Sequence, residues 1–228
     1  MSIEARLDEV RAEYLRRMTQ GNGHLLQQVE EYTTSRLGKM LRPRMLLMAA
    51  ATLGEEHLCS RRTLLLAVCV EMLHNASLLH DDVIDHDDER RGQPSVNAHW
   101  NNAVAVLVGD YHLATIMDIL TEVDDREATQ RVSHTVKTMV EAELLQQELN
   151  TKHLTLNTYQ KIIDGKTARL FALAAALGNP EYEDFGLHYG RLFQLRDDLA
   201  DGEANPWTAQ LIADEEDAIK HMDRILNI

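Results

Sequence analysis

The sequence predicts an all-α protein built as a bundle of long helices. Hydrophobic residues make up 44% of its 228 residues, yet aromatic residues make up only 5%, and there are 11 Gly and 4 Pro. This composition favours helices over strands. No stretch shows the alternation of apolar and polar residues that marks a half-buried strand. The length is sufficient for one well-packed core, so we expect a single domain over residues 1–228.

Apolar residues recur at helical spacing along most of the chain, and Gly and Pro mark the breaks. Gly21 and Gly23 end the first pattern, and Pro43 suits the first turn of the third helix. Residues 54–60 and Arg90–Ser95 are predicted as loops. We predict helices over residues 2–19, His24–Arg36, Arg44–Leu53, Arg61–Asp85, Asn97–Leu120, Asp125–Asn150, Thr155–Leu177, Glu181–Asp201 and Pro206–Leu226.

The most informative stretch is residues 80–92, HDDVIDHDDERRG, which follows a long apolar run. Asp81 and Asp85 are one helical turn apart and share a face, so their charges repel each other. A hard divalent cation removes that cost, and Mg²⁺ commonly joins one or two carboxylates to a phosphate. Arg90 and Arg91 can hold the same phosphates in a bidentate way. The stretch therefore predicts a site for Mg²⁺ and a diphosphate.

The same D-D-x-x-D spacing occurs again at Asp197, Asp198 and Asp201, also on an apolar helical pattern. One acidic stretch is most often a solvated helix face. Two copies at identical spacing, both at the ends of apolar helices, are hard to obtain by chance. If they face each other across a cavity, they can hold several Mg²⁺ ions around one diphosphate.

Basic residues near a helix start provide a second kind of candidate site. Lys39, Arg42 and Arg44 precede or open a helix, where backbone N–H groups favour anions. A basic surface turn explains these three residues equally well. For Arg90 and Arg91, the alternative to phosphate binding is charge pairing with the neighbouring acids.

Four further polar residues lie within apolar helical patterns. Lys166 and Thr167 follow a glycine, but the stretch is too short for a P-loop, and an irregular helix with a surface lysine is the alternative. His74 lies two turns before Asp81, where a lone histidine is more often a satisfied core residue. Gln194 is a neutral hydrogen-bond donor and acceptor one turn before Asp198.

Composition and missing motifs exclude several functional classes. The net charge of −14 argues against binding a nucleic-acid backbone. Cys59 and Cys69 have no metal-ligand spacing, and Cys69 is expected to be a small core residue. No nucleophile–base pair or Ser-centred elbow is evident. The sequence offers acidic clusters for metal, cationic residues for two anions and an apolar interior. This combination suits a reaction in which diphosphate leaves and a carbocation forms.

These residues resemble the trans-isoprenyl diphosphate synthases of the polyprenyl synthetase family. The resemblance covers roughly residues 38–201, and its motifs occur in family order. The matching pieces are G-K-x-x-R-P from Gly38, E-M-x-H-x-x-S-L-L-H-D-D-x-x-D from Glu71, R-R-G from Arg90, V-G-D from Val108, G-K-T-A from Gly165 and F-Q-x-x-D-D-x-x-D from Phe193.

The resemblance implies an isoprenoid-synthase-like helical bundle around a central cavity, usually as a homodimer. The implied reaction is Mg²⁺-dependent, head-to-tail condensation of isopentenyl diphosphate with an allylic diphosphate to an all-trans product. By this likeness the ligands of Mg²⁺ are Asp81, Asp85, Asp197 and Asp201, supported by Asp82 and Asp198. The implied isopentenyl diphosphate site is Lys39, Arg42, His74 and Arg91, and the implied allylic site is Arg90, Lys166, Thr167 and Gln194.

The sequence departs from the family pattern after the second acidic motif. Family enzymes carry a further lysine-bearing loop and several more helices there, whereas here residues 202–207 lead into one acidic helix. Lys220 lies too far along the chain to stand for the missing lysine. We therefore expect differences in the lid over the diphosphates and in part of the cavity wall.

Three alternative functions compete with an active synthase. A non-catalytic or weakly catalytic subunit of a heteromeric synthase fits the shortened C-terminus, but the intact acidic and cationic positions argue against it. A terpene cyclase needs no second diphosphate site, so Lys39, Arg42 and Arg91 weigh against it. A plain metal-binding helical module leaves the basic residues unexplained.

The expected location is the cytoplasm. The N-terminus has no apolar signal segment, and no run of about 18 uncharged apolar residues suggests an integral membrane segment. The expected partners are the two diphosphate substrates and a second copy of the chain, without nucleic acid.

Overall fold

The computed structural model describes residues 1–21, 23–35, 38–149 and 154–226. The chain divides into two compact units, an N-terminal unit, Met1–Asp125, and a C-terminal unit, Arg126–Ile228. Within the described ranges every element is a helix except for one two-stranded hairpin. The all-α prediction is therefore confirmed.

The N-terminal unit is built around one long helix, α5. Its helices are α1 Ile3–Met18, α2 His24–Thr34, α3 Leu41–Ala51, α4 Glu55–Cys59, α5 Arg61–Ile84, α6 Val96–His99 and α7 Asn102–Val123, with strands β1 Glu89–Arg90 and β2 Gln93–Pro94. Helix α5 packs against α1, α3 and, over its greatest length, α7. Its residues 65–73 are all buried, as expected for a helix that is apolar on every side.

Two short elements of the N-terminal unit were not predicted. Residues 54–60, predicted as a loop, contain α4, and Arg90–Ser95 forms most of a hairpin in which Arg90 pairs with Gln93. The helix predicted from Asn97 is split into α6 and α7, because the Asn101 side chain caps the second helix by accepting from the Val104 N–H at 3.0 Å. Local capping chemistry thus overrides the continuous apolar pattern.

The C-terminal unit comprises α8 Arg126–Leu149, α9 Leu156–Ile163, α10 Arg169–Gly178, α11 Glu183–Ala200 and α12 Thr208–Leu226. A π-helical turn, Asp164–Ala168, joins α9 to α10, and a 3₁₀ turn, Pro180–Tyr182, precedes α11. The single helix predicted over Thr155–Leu177 is therefore interrupted. Helix α10 is buried from Leu170 to Gly178 and packs against α8 and α11.

Most other helix ends lie within a few residues of their predicted positions. The third helix begins at Leu41 rather than Arg44, so Pro43 does lie in its first turn. The predicted ends at Arg36 and Asn150 lie outside the described residues. Cys69 is buried, as expected for a small core residue, and burial raises the pKa of its thiol to about 12.

Helices α5 and α7 are each long and apolar enough to cross a membrane by length and composition alone. Core helices of globular proteins pass the same test, and 67% of the apolar window of α5 is buried inside the protein. The absence of a membrane segment and the cytoplasmic location therefore stay predictions.

Candidate active site

Both D-D-x-x-D motifs end their helices in the same way. In α5, Asp85 is the C-cap and His86 adopts a positive φ of 58°; in α11, Asp201 is the C-cap and Gly202 has a φ of 79°. The Asp87 N–H donates to the Asp82 carbonyl at 2.9 Å, and the Glu203 N–H donates to the Asp198 carbonyl at 2.8 Å. These bonds define a Schellman ending at each motif.

The three carboxylates of each motif divide into one buried and two outward-facing groups. Asp82 and Asp198 are buried, whereas Asp85, Asp197 and Asp201 are exposed and Asp81 is partly exposed. The carboxylates lie at the negative end of the helix dipole, with no basic residue in the last turn of either helix. This arrangement is electrostatically costly and favours a cation.

In the N-terminal unit, the buried carboxylate is held by an arginine. Arg90 Nε lies 2.7 Å from Asp82 Oδ1, and Arg90 Nη2 contacts Asp82 and lies 2.9 Å from Asp87 Oδ2. Burial raises the pKa of the Asp82 carboxyl, while Arg90 opposes that rise. The charge-pairing alternative for Arg90 is thus realised through its Nε and Nη2 groups.

Arg91 lies in the hairpin turn, where its backbone conformation is unfavourable. Arg91 and Gly92 form the two-residue loop, and both have positive φ, 55° and 74°, as a type I′ turn requires. A non-glycine residue there costs about 1–2 kcal/mol. The Asn97 side chain steadies the loop by donating to the carbonyls of Asp82 at 3.2 Å and Asp87 at 3.0 Å.

Arg91 lies beside the Gly38–Lys39 segment. A Cβ added to Gly38 would lie 2.8 Å from Arg91 Nη2, so the guanidinium lies directly against the glycine backbone. Desolvation, and after it the charges of Arg42 and Arg91, hold the pKa of His74 well below its ordinary value. The charges of Arg42 and Arg91 therefore act on His74, and His74 is neutral at pH 7.

Two other basic residues of this segment behave differently. Lys39 is exposed, so its long side chain is available to a ligand at the surface. Arg44 forms an ion pair with Glu4, with N–O distances of 2.5 and 3.0 Å, and so lies with α1. The basic-turn alternative thus holds for Arg44.

In the C-terminal unit, a chain of hydrogen bonds fixes the second motif. Thr167 Oγ1 donates to Gln194 Oε1 at 2.6 Å, and Gln194 Nε2 donates to Asp198 Oδ1 at 2.7 Å. The Tyr159 hydroxyl donates to the other oxygen of Asp198. Burial, and then the Asp198 carboxylate, raise the pKa of Tyr159. With both oxygens engaged, Asp198 orients the motif, and Asp197 and Asp201 face outward.

Lys166 is held inside the unit and is not a surface lysine. Its Nζ lies 2.5 Å from Glu143 Oε2 and 3.1 Å from Gln146 Oε1. The alternative of an irregular helix is correct, because Lys166 lies in the π-helical turn. Glu143, Gln146 and Tyr159 were not among the predicted site residues, since they lie far away in sequence and belong to no short motif.

A cavity of about 460 Å³ adjoins these residues, a size typical of ligand pockets. Its polar wall includes Lys166, Thr167, Gln194 and Asp198, and its apolar wall includes residues of α8 and α9. A polar wall next to an apolar wall suits a ligand with a charged head and a hydrocarbon tail.

Across the described ranges, no group of three or more His, Cys, Asp or Glu side chains is arranged to hold a metal ion by itself. The outward carboxylates nevertheless offer the hard oxygen ligands that Mg²⁺ prefers, and Mg²⁺ commonly completes its shell with water and substrate phosphate. The residues present therefore fit Mg²⁺ in combination with a diphosphate.

An all-α fold with two acidic helix ends, each with cationic groups in its own unit, is typical of an isoprenoid-synthase type of protein. The family model described as polyprenyl synthetase matches residues 23–214. The chain belongs to the polyprenyl synthetase family.

The chain is similar in sequence to proteins that are named as prenyl diphosphate synthases. An all-trans-nonaprenyl-diphosphate synthase (geranyl-diphosphate specific) of Rhodobacter capsulatus is 41% identical over 78% of this chain and 57% of its own length. The octaprenyl diphosphate synthase of Escherichia coli is 36% identical over 79% of this chain and 58% of its own length. The chain thus spans less than three fifths of these relatives.

A solved structure shows the same fold. The polyprenyl synthase of Caulobacter crescentus, complexed with calcium and isoprenyl diphosphate, has a TM-score of 0.82 and 32% sequence identity, and the match covers 89% of this chain and 64% of that chain. That protein binds a divalent cation together with an isoprenyl diphosphate.

Proposed function

We propose that this protein is a prenyltransferase that condenses isopentenyl diphosphate head-to-tail with an allylic diphosphate to form an all-trans polyprenyl diphosphate. The observation that carries the proposal is the shared construction of the two acidic helix ends, each with one buried carboxylate held in place and exposed carboxylates beside it. The names of the similar proteins support the same activity and give no support to a regulatory subunit.

The proposed cofactor is Mg²⁺, with Asp81, Asp85, Asp197 and Asp201 as its protein ligands. Bound Mg²⁺ would neutralise the leaving diphosphate and so favour its departure. Asp82 and Asp198 orient their motifs through Arg90 and through Tyr159 with Gln194. The calcium in the Caulobacter crescentus complex supports a divalent cation in this role.

The cationic residues are proposed to bind two different diphosphates. Lys39, Arg42 and Arg91, with neutral His74 as a hydrogen-bond donor, bind isopentenyl diphosphate. Arg90, Lys166 and Thr167, with Gln194 as the hydrogen-bonded support of Thr167, bind the allylic diphosphate. The apolar wall of the 460 Å³ cavity is suited to the hydrocarbon chain and limits access of water to the cation.

The direct test is product analysis with the purified full chain. The protein is incubated with Mg²⁺, radiolabelled isopentenyl diphosphate and one allylic diphosphate at a time, and the products are sized. We expect labelled polyprenyl diphosphates with at least one primer. Consumption of the allylic diphosphate without isopentenyl diphosphate would instead indicate a cyclase, and activity only after addition of a second, different chain would indicate a heteromeric synthase.

Substitutions should separate the two diphosphate sites. Arg91→Ala is expected to raise the KM for isopentenyl diphosphate, and Lys166→Ala the KM for the allylic diphosphate. Each loses a charge-assisted contact of about 1.5–3 kcal/mol, or roughly 10- to 150-fold. The KM values are measured by steady-state kinetics with each substrate varied in turn. Arg44→Ala is the control, because Arg44 is paired with Glu4. Equal increases in both KM values for both variants would contradict separate sites.

We also propose that the chain forms a homodimer through α7. Six of its exposed residues recur at alternating spacings of four and three, the pattern of a helix-pairing seam: Ala103, Leu107, Asp110, Ala114, Met117 and Thr121. Leu107 and Met117 are 66% and 67% exposed, which is high for apolar side chains on a mostly apolar helix.

Leu107→Glu is expected to convert this dimer to a monomer, because it places like charges across the seam. Light scattering coupled to size-exclusion chromatography measures the mass. Met48→Glu on α3 is the matched control, since Met48 is an exposed apolar residue away from α7. A wild-type monomer, or dissociation by both variants alike, would contradict the proposal.

A further inference from the structure

Arg191, which precedes the second acidic motif on α11, makes a bidentate ion pair within the C-terminal unit. Its Nε lies 2.5 Å from Asp164 Oδ1, and its Nη2 lies 2.8 Å from Asp164 Oδ2. The two parallel bonds give the fork-to-fork geometry that fixes a carboxylate in both position and orientation. Accordingly, the hydrogen bonds that Arg191 donates to Asp164 raise the pKa of Arg191.

Asp164 is the first residue of the π-helical turn that carries Lys166 and Thr167. A π turn contains one more residue than the α turn that it replaces, and such turns are uncommon because α-helical bonding is favoured. Neighbouring contacts therefore decide whether the turn keeps this shape. Gly165 is pressed against α8, where an added Cβ would lie 2.3 Å from Ala142 Cβ.

Helix α11 holds this turn at two points on one face. Arg191 binds Asp164 at the start of the turn, and Gln194, three residues later, accepts from Thr167 near its end. Further along the same face, Asp198 accepts from Tyr159 of α9. The two residues of the turn that α11 contacts, Asp164 and Thr167, lie on either side of Lys166.

Helix α12 constrains Arg191 from the other side. Glu215 is 9% exposed, and its Oε1 lies 3.7 Å from Arg191 Nη1, while its Oε2 lies 2.5 Å from His188 Nδ1. Arg191 is therefore placed between a carboxylate of α12 and the carboxylate that begins the π turn.

We infer that Arg191 is a positioning residue, which keeps the π turn in the shape that presents Lys166 and Thr167 to the allylic diphosphate, and that Glu215 of α12 steadies Arg191. This inference rests on the proposed function, because it takes Lys166 and Thr167 as allylic-site residues. Arg191 itself touches no reacting atom. Its loss should therefore weaken allylic binding and leave the chemistry of the bound substrate nearly unchanged.

The test uses the full chain with Mg²⁺ and the non-ionisable thiolo analogue of geranyl diphosphate, whose binding is measured by calorimetry without turnover. Arg191→Gln and Asp164→Asn are each expected to weaken binding roughly ten-fold. The double variant should bind the analogue no more weakly than either single variant, because both substitutions remove the same ion pair. In kinetics, the allylic KM should rise, while kcat and the KM for isopentenyl diphosphate should change less than about two-fold.

Arg196→Gln is the matched control. Arg196 lies on the same helix and pairs with Glu216 of α12 at 2.7 Å, but makes no bond to the π turn. It should bind the analogue like wild type, and melting curves should show that every variant is folded. The inference would be overturned if Arg196→Gln and Arg191→Gln lost equal affinity for the analogue, or if folded Arg191→Gln bound it as tightly as wild type does.

Lys166→Ala distinguishes the inference from the proposed function. If Lys166→Ala loses affinity and Arg191→Gln does not, the positioning role is wrong and the allylic site stands. If Lys166→Ala binds the analogue as wild type does, the allylic site is wrong, and the role inferred for Arg191 is wrong as well.

Discussion

Asp81→Ala and Asp197→Ala are each expected to lower kcat by about 10³-fold, the largest effect on activity that we predict. Each variant loses a carboxylate that faces outward from a helix end and is proposed to bind Mg²⁺, so charge stabilisation of the leaving diphosphate is lost. Chelation should abolish the activity of wild type, and added Mg²⁺ should restore it. The measurement is product formation at saturating substrates across a Mg²⁺ titration.

Asp88→Ala provides the control for this result. Asp88 is an exposed carboxylate in the same acidic stretch, outside the D-D-x-x-D spacing. Its substitution should change kcat less than a few-fold, because an exposed carboxylate that does not bind the metal contributes little. If Asp81→Ala or Asp197→Ala kept near-normal turnover, the mechanism with two metal-binding motifs would be wrong.

The largest effect on stability is expected at a buried hydrogen-bonded pair in the N-terminal unit. Glu30 of α2 and His112 of α7 are 1% and 0% exposed, and His112 Nε2 lies 2.8 Å from Glu30 Oε1. His112→Leu would leave Glu30 buried without this partner, which typically costs about 3–5 kcal/mol. Chemical denaturation should show this as a lower midpoint at an unchanged slope.

The double variant Glu30→Leu with His112→Leu tests the cause. Replacing both partners by apolar residues of similar volume removes the buried charge together with its desolvation penalty, so most of the lost stability should return. The matched exposed pair is Arg62 with Asp125, at 2.7 Å on the surface of the same unit. Arg62→Leu should cost at most about 1 kcal/mol. A double variant as unstable as His112→Leu would rule out burial of an unpaired charge as the reason.

Local patterns were sufficient to predict most helices. The apolar run before Asp81 predicts a core helix because a helix that is apolar on every side must be buried, and α5 is such a helix. The hairpin and the split between α6 and α7 were missed. Each depends on a few hydrogen bonds, such as the Asn101 cap, that an averaged hydrophobic pattern does not register.

The candidate site was predicted where its residues share one helix face or one short motif. Spacing alone placed Asp81 with Asp85 and Asp197 with Asp201, because helical geometry determines which residues share a face. The role of each basic residue was harder to predict from the sequence, since a basic residue next to acids has several equally close partners. Arg90 and Arg91 are adjacent in sequence, yet one pairs with Asp82 and Asp87 and the other lies against Gly38.

The sequence by itself determined the all-α fold, the two acidic helix ends and the family, because all three depend on residue order over short distances. Tertiary structure alone decided how the motifs are held. Tyr159 reaches Asp198 across 39 residues and His112 reaches Glu30 across 82, and no local pattern relates such positions. The π turn at Lys166 belongs to the same class, because Arg191 and Gln194 of a later helix hold it at both ends.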